Sequence, residues 1–286
     1  MIRRLWCGMA RDPLALLSLV FLLAVMAVGL LAPWLAPHDP LLVSWRDKYH
    51  GISLNYPLGA DHLGRCVLSR LLFGIRNTLF VALLAMAVTM LTGTVIGMLA
   101  GYLLGRIDAA LMRLCDLILS FPGEVMIFAL VGILGSGLQN ILLAVVLVKW
   151  AWYARMVRGI ALQYSDKHYI HYARLLGGFS RLFDTAPPAA RDGGGTYRTG
   201  NNGRGAVILL LSALSFLGLG VQPPTPEWGA MLGEAKNVMM VHPEQMLPAG
   251  IAIVLVVAAC QYLGDSLRNA LDVTGGEEGR AVFPDA

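Results

Sequence analysis

Six apolar runs, set among shorter polar segments, constrain the fold of this chain more than any other feature of its sequence. A hydrocarbon core of about 30 Å requires about 20 helical residues at about 1.5 Å per residue. Only 14% of the 286 residues are charged, whereas a soluble domain has about 25%. The sequence therefore predicts an all-α, polytopic membrane protein with about six transmembrane helices. The predicted spans are Leu14–Leu35, Thr78–Leu104, Leu114–Leu134, Leu138–Ala154, Ala206–Val221 and Met246–Leu263.

The basic residues predict how these spans are oriented. With the N-terminus placed inside, fifteen Lys and Arg fall in inside segments and six in outside segments. Cytoplasmic loops carry such an excess of basic residues, so both termini are predicted to be cytoplasmic. The first apolar run, Leu14–Ala32, is longer than the roughly 7–15 residues of a signal-peptide core, which favours an uncleaved first span.

Four glycines repeat at intervals of four residues in and after the second span: Gly93, Gly97, Gly101 and Gly105. Small residues at this spacing share one helical face and let another helix approach closely. Packing within the chain is the ordinary interpretation. An interface with another subunit is the alternative.

Three ionisable residues lie within or near the predicted spans: Asp116, Glu124 and Lys149. Charged groups in a bilayer are costly, and they are functional hypotheses by default. We take Asp116 and Glu124 as possible pathway residues, with a structural role against a helix end or a neighbouring helix as the alternative. None of the six histidines lies in a predicted span and the four cysteines are widely separated, so no metal site is predicted.

Two segments flanking the spans have clear local patterns. Residues 56–79 read YPLGADHLGRCVLSRLLFGIRNTL, a loop that enters an amphipathic helix in which Arg65, Arg70 and Arg76 form the polar part. Residues 213–232 read ALSFLGLGVQPPTPEWGAML, in which the prolines are predicted to end the fifth span. Trp228 is predicted to lie at the membrane interface, and Gly229–Gln245 to be helical and to pack at the external mouth, as a rigid cap or as a surface for a delivering binding protein.

These segments resemble the peptide and nickel ABC importer permeases of the second-permease subfamily. The first is similar to that family's LGTDxLGRDxxSRLLxGxRxSL pattern, with Cys66 where the pattern has Asp. The second matches the exit of the family's fifth span, and RIDAALMRLCDLILSFPG at Arg106–Gly123 and LGDSLRNALD at Leu263–Asp272 also agree. The resemblance extends from the first span to about Asp272.

The resemblance implies an ABC importer type I permease fold and a set of partners. These are a second permease subunit, two ATP-binding subunits, a periplasmic solute-binding protein and membrane lipid, with no nucleic acid. No GxxxxGK[ST] sequence is present, so we expect a transport subunit that does not hydrolyse ATP and holds no cofactor. The expected division is residues 1–76 (N-terminus, first span and external segment), 77–272 (permease core) and 273–286 (cytoplasmic tail).

A polar interval, Arg155–Gly205, carries eight of the 22 Lys and Arg residues. Its first half is predicted to be helical as far as Leu176 and to end at two glycines. In the resembled family this position holds the short helix that contacts the ATPase. That pattern is matched here at its second Ala and its Gly but not at its Glu. The resemblance implies ATPase-coupling residues Tyr172, Ala173, Arg174, Gly177 and Gly178; an ordinary amphipathic surface helix is the alternative.

The second half of the interval, Asp184–Gly205, departs from the family pattern. It contains six Gly, two Pro and no Leu, Ile, Val, Met or Phe, a composition that favours neither a lipid-buried segment nor a stable helix. Our hypothesis is a local frame disruption that yields a wrong-frame peptide between two correct ones. A real flexible insertion is the alternative.

The predicted function is that of a permease subunit of a binding-protein-dependent importer in the bacterial inner membrane. Within the resemblance, WAWYARMVR at Trp150–Arg158 is more similar to nickel-type permeases, so nickel is the expected solute. Di- or oligopeptides, or a frame-disrupted and non-functional version of either importer, are the alternatives. A structural membrane protein or a secondary transporter stays open, although no internal repeat of the kind found in secondary transporters is evident.

Overall fold

The computed structural model describes residues 12–103, 105–165 and 207–280, with side chains except at 163–165, 268 and 270–280. Within these ranges the chain is almost wholly helical, and the β-type pairing is a single isolated bridge between Ala60 and Cys66. This confirms the predicted all-α fold. The helices are α1 Pro13–Leu35, α2 Val67–Ile75, α3 Val81–Leu103, α4 Gly105–Leu119, α5 Gly123–Leu134, α6 Leu138–Ser165, α7 Val207–Phe216, α8 Trp228–Lys236 and α9 Leu247–Arg280.

Helix α1 is a span that depends on another segment to complete its backbone hydrogen bonds. Asp12 caps its N-terminus by accepting from the N–H groups of Leu14 and Ala15. Pro33 lies inside the helix and has no N–H to offer the carbonyl four residues earlier. Arg76 replaces that donor, because its Nε donates to the Gly29 carbonyl at 2.7 Å and its guanidinium also reaches Leu30 O at 2.7 Å.

Helices α2 and α3 form one continuous span, Val67–Leu103, of 37 residues. They are joined by a π-helical segment, Arg76–Phe80. The amphipathic helix predicted before the second span is therefore its first part. A π-helical turn inside an α-helix is a recurrent feature of functional sites, and here it carries Asn77 and Thr78, whose partners are described below.

The predicted third span is not one straight helix. It is divided between α4 and α5, which meet at a bend of 85°. Helix α4 ends at Leu119, and Pro122 precedes α5. A proline can neither donate a helical hydrogen bond nor tolerate a helical residue before it, so the chain breaks at this point.

The glycine repeat packs α3 against α6 within the chain. A Cβ on Gly93 would lie 2.8 Å from Trp150 O, and one on Gly101 would lie 2.7 Å from the Ala161 Cβ. A Cβ on Gly97 would meet the Ala154 carbonyl oxygen and lie 2.9 Å from the Val157 Cβ. The first three glycines are thus sites of close helix approach, as the intrachain interpretation expected.

Helix α7 ends before it reaches the prolines that were predicted to end the fifth span. It stops at Phe216, where Gly218 adopts φ +80°. The Leu219 N–H donates to Leu214 O at 3.0 Å and the Gly218 N–H to Ser215 O at 3.0 Å. This is the Schellman pattern of a helix C-terminus with glycine in the left-handed conformation, so Gly218 is the physical stop signal.

Each of the six predicted apolar runs corresponds to a described helix or pair of helices, and these helices differ in length. Four are long and apolar enough to cross a membrane, and the bent pair of α4 and α5 raises that number to five. Helix α7 is a shorter apolar helix of ten residues in the position of the fifth span. The predicted coupling residues Tyr172, Ala173, Arg174, Gly177 and Gly178, and the segment Asp184–Gly205, lie outside the described residues.

Candidate functional site

Three ion pairs join the bent pair of helices to α6. Asp108 of α4 pairs with Arg158, whose Nη2 donates to Oδ2 at 2.6 Å. Asp116 of α4 pairs with Arg155. Glu124, in the first turn of α5, accepts from the Lys149 Nζ at 3.1 Å. Each acid therefore neutralises a cation on the same neighbouring helix, which lowers the cost of holding these charges among apolar spans.

The Glu124–Lys149 pair lines a cavity of about 450 Å³ beside the bend. Its wall is mostly apolar and aromatic, with Thr89 and the ion pair as polar groups. The lining residues are Met86, Thr89, Ile118, Leu119, Phe121, Gly123, Glu124, Val148, Lys149, Trp152, Tyr153, Val207 and Leu210. A volume of this size matches small-molecule sites in proteins, which are about 300–1,000 Å³.

The two possible pathway residues occupy different positions. Glu124 faces the cavity and remains 60% exposed while it contacts Lys149. Asp116 is also exposed, but it pairs with Arg155 and is not among the residues that line this cavity. The structure therefore brings Glu124 and Lys149 together at one site and places Asp116 on the neighbouring helix, outside it.

A second cluster of charges lies around the start of α2, where the sequence predicted the polar part of an amphipathic helix. Arg65 and Arg70 are in fact only 1% and 2% exposed. Arg65 contacts Asp61 at 2.7 Å and Glu234 at 2.6 Å, and Arg70 contacts both of the same carboxylates at 2.7 Å. Arg65 and Arg70, predicted as polar members of the amphipathic helix, can be buried because each guanidinium bridges two carboxylates.

The pKa of Asp61 lies below its ordinary value. Burial alone would raise the pKa of this carboxyl, but the N–H groups of Arg65 and Leu63 and the guanidinium groups of Arg70 and Arg65 outweigh burial. The carboxylate form is thus the one that the fold stabilises. Asp61 and Glu234 connect the segment before α2 to helix α8.

Asp61, His62 and Glu234 also place potential metal-ligand atoms within 4.8 Å of one another. The two carboxylates already neutralise Arg65 and Arg70, both buried. A divalent cation would have to compete with two fixed guanidinium groups. This cluster is therefore best interpreted as a structural ion-pair network.

The segment before α8 is attached to the π-helical turn of the second span. Asn77 Nδ2 donates to Pro226 O at 2.7 Å, and Thr78 Oγ1 donates to Glu227 Oε1 at 3.0 Å. Trp228 is 2% exposed, and its Nε1 donates to Leu71 O at 3.0 Å. The indole packs into the protein, where the absence of a side chain at Gly74 makes room for it.

Glu227 is the buried centre of this attachment. It caps α8 by accepting from the Ala230 N–H at 2.8 Å while it accepts from Thr78. Burial raises the pKa of the Glu227 carboxyl despite these donors. Sequence reasoning missed Glu227 and Glu234; a Glu directly before a Trp-Gly helix start was an available capping signal, whereas the partners of Glu234 are distant in sequence.

Comparison with known proteins agrees with the architecture. Residues 93–189 match the family model of the binding-protein-dependent transport system inner membrane component. Residues 1–52 match the N-terminal transmembrane domain of oligopeptide transport permease C. The first of these ranges contains the α3–α6 contact, the bend and the Glu124–Lys149 pair.

Three relatives are similar over almost their whole length. The metal-staphylopine import system permease protein of Staphylococcus aureus is 38% identical over 265 residues, 92% of this chain and 91% of that protein. The glutathione transport system permease protein of Pectobacterium atrosepticum is 38% identical over 273 residues, 94% and 90% of the two chains. The nickel transport system permease protein of Escherichia coli is 35% identical over 258 residues, 90% and 92% of the two chains.

Identity at this level over nine-tenths of both chains, together with the helical spans and the matched family models, goes beyond a shared fold. The chain belongs to the multi-pass permease family of binding-protein-dependent ABC importers, in its peptide and nickel group.

Proposed function

We propose that this chain is the permease subunit through which a nickel importer passes its solute across the inner membrane, with ATP hydrolysed by separate subunits. The cavity beside the bend carries the proposal, because it places a charged pair among spans of a transport protein. Two of the relatives described above are permeases for nickel or for a metal complex, which supports metal as the solute.

The composition of the cavity favours passage over tight binding of a metal. None of the residues lining it in the described part of the chain is His or Cys, the nitrogen and thiolate ligands that hold nickel and similar metals most firmly. A pathway must let its solute leave as well as enter, so weak contacts suit transport. Delivery would then depend on a periplasmic solute-binding protein.

The proposed mechanism couples ATP hydrolysis to the spans through the segment that follows α6. Both termini are placed in the cytoplasm, where two ATP-binding subunits and a second permease subunit complete the importer. Tyr172, Ala173, Arg174, Gly177 and Gly178 are the proposed contacts to an ATP-binding subunit. Movement there would pass to α6, whose three cations are paired with α4 and α5, and would switch the spans between outward and inward access.

This coupling can be tested by co-purification of the tagged chain with its ATP-binding subunit. We expect Gly177→Trp to abolish capture of the subunit. Gly132→Trp, at an open position of α5 with nothing within 4 Å, should leave capture intact. Equal capture by both variants would refute the assignment of Gly177.

Nickel itself is tested by deleting the gene from its host and measuring accumulation of radioactive nickel at limiting concentration. The proposal predicts loss of accumulation and its recovery when the intact gene is restored. Unchanged accumulation on deletion would exclude nickel as the principal solute.

A peptide importer is the second candidate, and one observation favours it. The Glu124–Lys149 pair offers one negative and one positive group at a single site, which matches the two charged ends of a short peptide. The similarity to a glutathione permease supports the same alternative. Growth of an amino-acid auxotroph on a required dipeptide, with and without this gene, distinguishes it from nickel import.

A frame-disrupted version of either importer is the third candidate. The match to the family model ends at residue 189, inside the segment Asp184–Gly205. We propose that this segment arises from two compensating frame shifts, and sequencing the coding DNA tests it. In the resembled family an apolar segment with an Ile-x-Leu-Pro element stands here, and if the adjacent frame encodes no such segment, the chain carries a genuine insertion instead.

A further inference from the structure

The Glu124–Lys149 pair differs from the two other ion pairs of α6 in its surroundings and in its chemistry. It lines the cavity, whereas neither Asp116–Arg155 nor Asp108–Arg158 does. Lys149 and Glu124 are 33% and 60% exposed while they are in contact. The pair is therefore accessible to a small molecule inside the cavity.

The hydrogen bonding of the pair also allows each side chain to exchange its partner. Lys149 makes one hydrogen bond to Glu124 at 3.1 Å, whereas Arg158 donates to Asp108 through two nitrogens. An ammonium on a flexible four-carbon stem is a point charge that accepts new partners readily, and a bidentate guanidinium is held in a fixed geometry. Lys149 therefore has fewer hydrogen bonds to break than Arg158 when it leaves its partner.

The cavity wall decides which solutes could cause this exchange. Phe121, Trp152 and Tyr153 line it beside the pair, so a charge left without a partner there would be costly. A bare cation would pair with Glu124 but leave Lys149 without a partner. A bare anion would pair with Lys149 but leave Glu124 without one. A solute that carries both a carboxylate and an amine would give each protein group a new partner.

We propose that Glu124 and Lys149 form an exchangeable charge clamp, a specificity-determining pair inside the permease that selects small zwitterionic solutes. When the cavity holds no solute the two side chains neutralise each other. When a solute enters, its carboxylate replaces Glu124 at Lys149, and its amine replaces Lys149 at Glu124. The clamp rests on the proposed transport function and deepens its peptide candidate, because a bare nickel ion would leave Lys149 without a partner.

The test is binding of a defined probe to the purified membrane complex of permease and ATP-binding subunits, without the solute-binding protein, measured by equilibrium dialysis with labelled Ala-Ala. The uncharged analogue N-acetylalaninamide is measured in parallel. We expect Ala-Ala to bind the unaltered importer and to bind about tenfold more weakly after Lys149→Gln or Glu124→Gln, the size expected for loss of one charge-assisted hydrogen bond. Binding of the uncharged analogue should be the same in all of them.

Two further variants separate recognition from a merely structural role. Lys149→Arg keeps the positive charge but can hold Glu124 with two nitrogens, so its binding of Ala-Ala should lie between that of the unaltered importer and that of Lys149→Gln. Lys48→Gln removes a lysine on the exposed segment after α1 and should change nothing. A thermal unfolding curve for each variant shows whether lost binding follows lost folding.

The outcomes of this binding test decide whether the clamp exists, and they do not depend on nickel uptake. The clamp is overturned if Ala-Ala does not bind, if all variants bind it equally, or if Lys149→Gln weakens both probes alike. If nickel accumulation does not need this gene but Ala-Ala binding depends on Lys149, the proposed nickel function fails and the clamp stands. If the gene is needed for nickel but Ala-Ala binding ignores Lys149, the clamp fails alone.

Discussion

Arg65, Arg70 and Arg76 belong to one short segment, and the contacts of each give it a different task. Arg65 and Arg70 are buried between the carboxylates of Asp61 and Glu234. Arg76 instead donates to the carbonyls of α1 that surround the position weakened by Pro33. Charged groups are held inside only where partners satisfy them, so each arginine ties the second span to a different part of the chain.

Replacing Arg76 tests whether its hydrogen bonds to α1 compensate for the donor that Pro33 lacks. Arg76→Met keeps much of the apolar stem but leaves the Gly29 carbonyl without its donor. We expect the free energy of unfolding to fall by about 1–3 kcal/mol, the cost of a buried acceptor that loses its partner. Thermal unfolding in detergent measures it, with Arg46→Met at an exposed position as control. Equal unfolding temperatures for the two variants would contradict this role.

Asp61 gives a prediction about pH. Because its folded pKa is lowered, its stabilising contribution is complete above the unfolded value of about 3.9 and is lost as the pH falls through the lower folded pKa. Asp61→Asn should therefore be much less stable than the unaltered protein at pH 7, and the difference should shrink in acid. Unfolding temperatures from pH 7 down to about pH 2, below the unfolded pKa, measure it, with exposed Asp265→Asn as the matched control. A difference that stays constant with pH would show that the charge of Asp61 is not responsible.

At the level of elements, the contact between α3 and α6 depends on missing side chains. Gly93, Gly97 and Gly101 bring the two helices together so closely that a methyl group on any of them would collide with α6. Close approach gains van der Waals contact between helices that lipid would otherwise separate. This contact supports α6, which carries the cations facing the bent pair.

Gly97→Ala is expected to separate the helices. The new methyl group would meet the backbone of Ala154, which cannot rotate away, and the expected loss is about 1–3 kcal/mol of unfolding free energy. Gly132→Ala is the control, because nothing lies within 4 Å of its added methyl on exposed α5. That variant should gain about 0.5–1 kcal/mol through helix propensity. Both are measured as unfolding temperatures, and equal shifts would refute the close contact.

The sequence predicted the helices better than it predicted their breaks and partners. Apolar composition determines where a span can exist, so α1, α3, α6 and α9 lie where their runs predicted them. The break between α4 and α5 had a visible signal in Pro122, and the end of α7 had one in Gly218, but the length of an apolar run does not reveal either.

The sequence predicted only one residue of the charged pair as part of the candidate site. Glu124 could be proposed from its charge within an apolar run, yet its neighbour Lys149 is distant in the chain. Pairing across helices depends on the bend and on the glycine contact, which no local pattern specifies. For the same reason the sequence predicted Arg65 and Arg70 only as the polar part of a helix, and it did not predict their contacts with Glu234, which is distant in the chain.

In the whole molecule, the bent pair and α6 form a unit held by three ion pairs. The segments before α2 and α8 are joined separately, through Asp61, Glu234 and Glu227. Helix α6 leads in sequence toward the proposed contact with the ATP-binding subunit. The cavity at Glu124 and Lys149 lies within the unit, where a relative movement of α5 and α6 would change it.

The central claim is that the solute passes through the cavity beside the bend, and blocking that cavity is its most direct test. In a cysteine-free background, Phe121→Cys places a thiol in the cavity wall, and Leu134→Cys places one at an exposed position of α5 outside it. Each complete importer is reconstituted in proteoliposomes, and ATP-driven uptake is measured before and after a bulky maleimide is added. We predict that modification stops uptake at position 121 and leaves it unchanged at position 134. Uptake that continues after complete modification at position 121 would contradict the account.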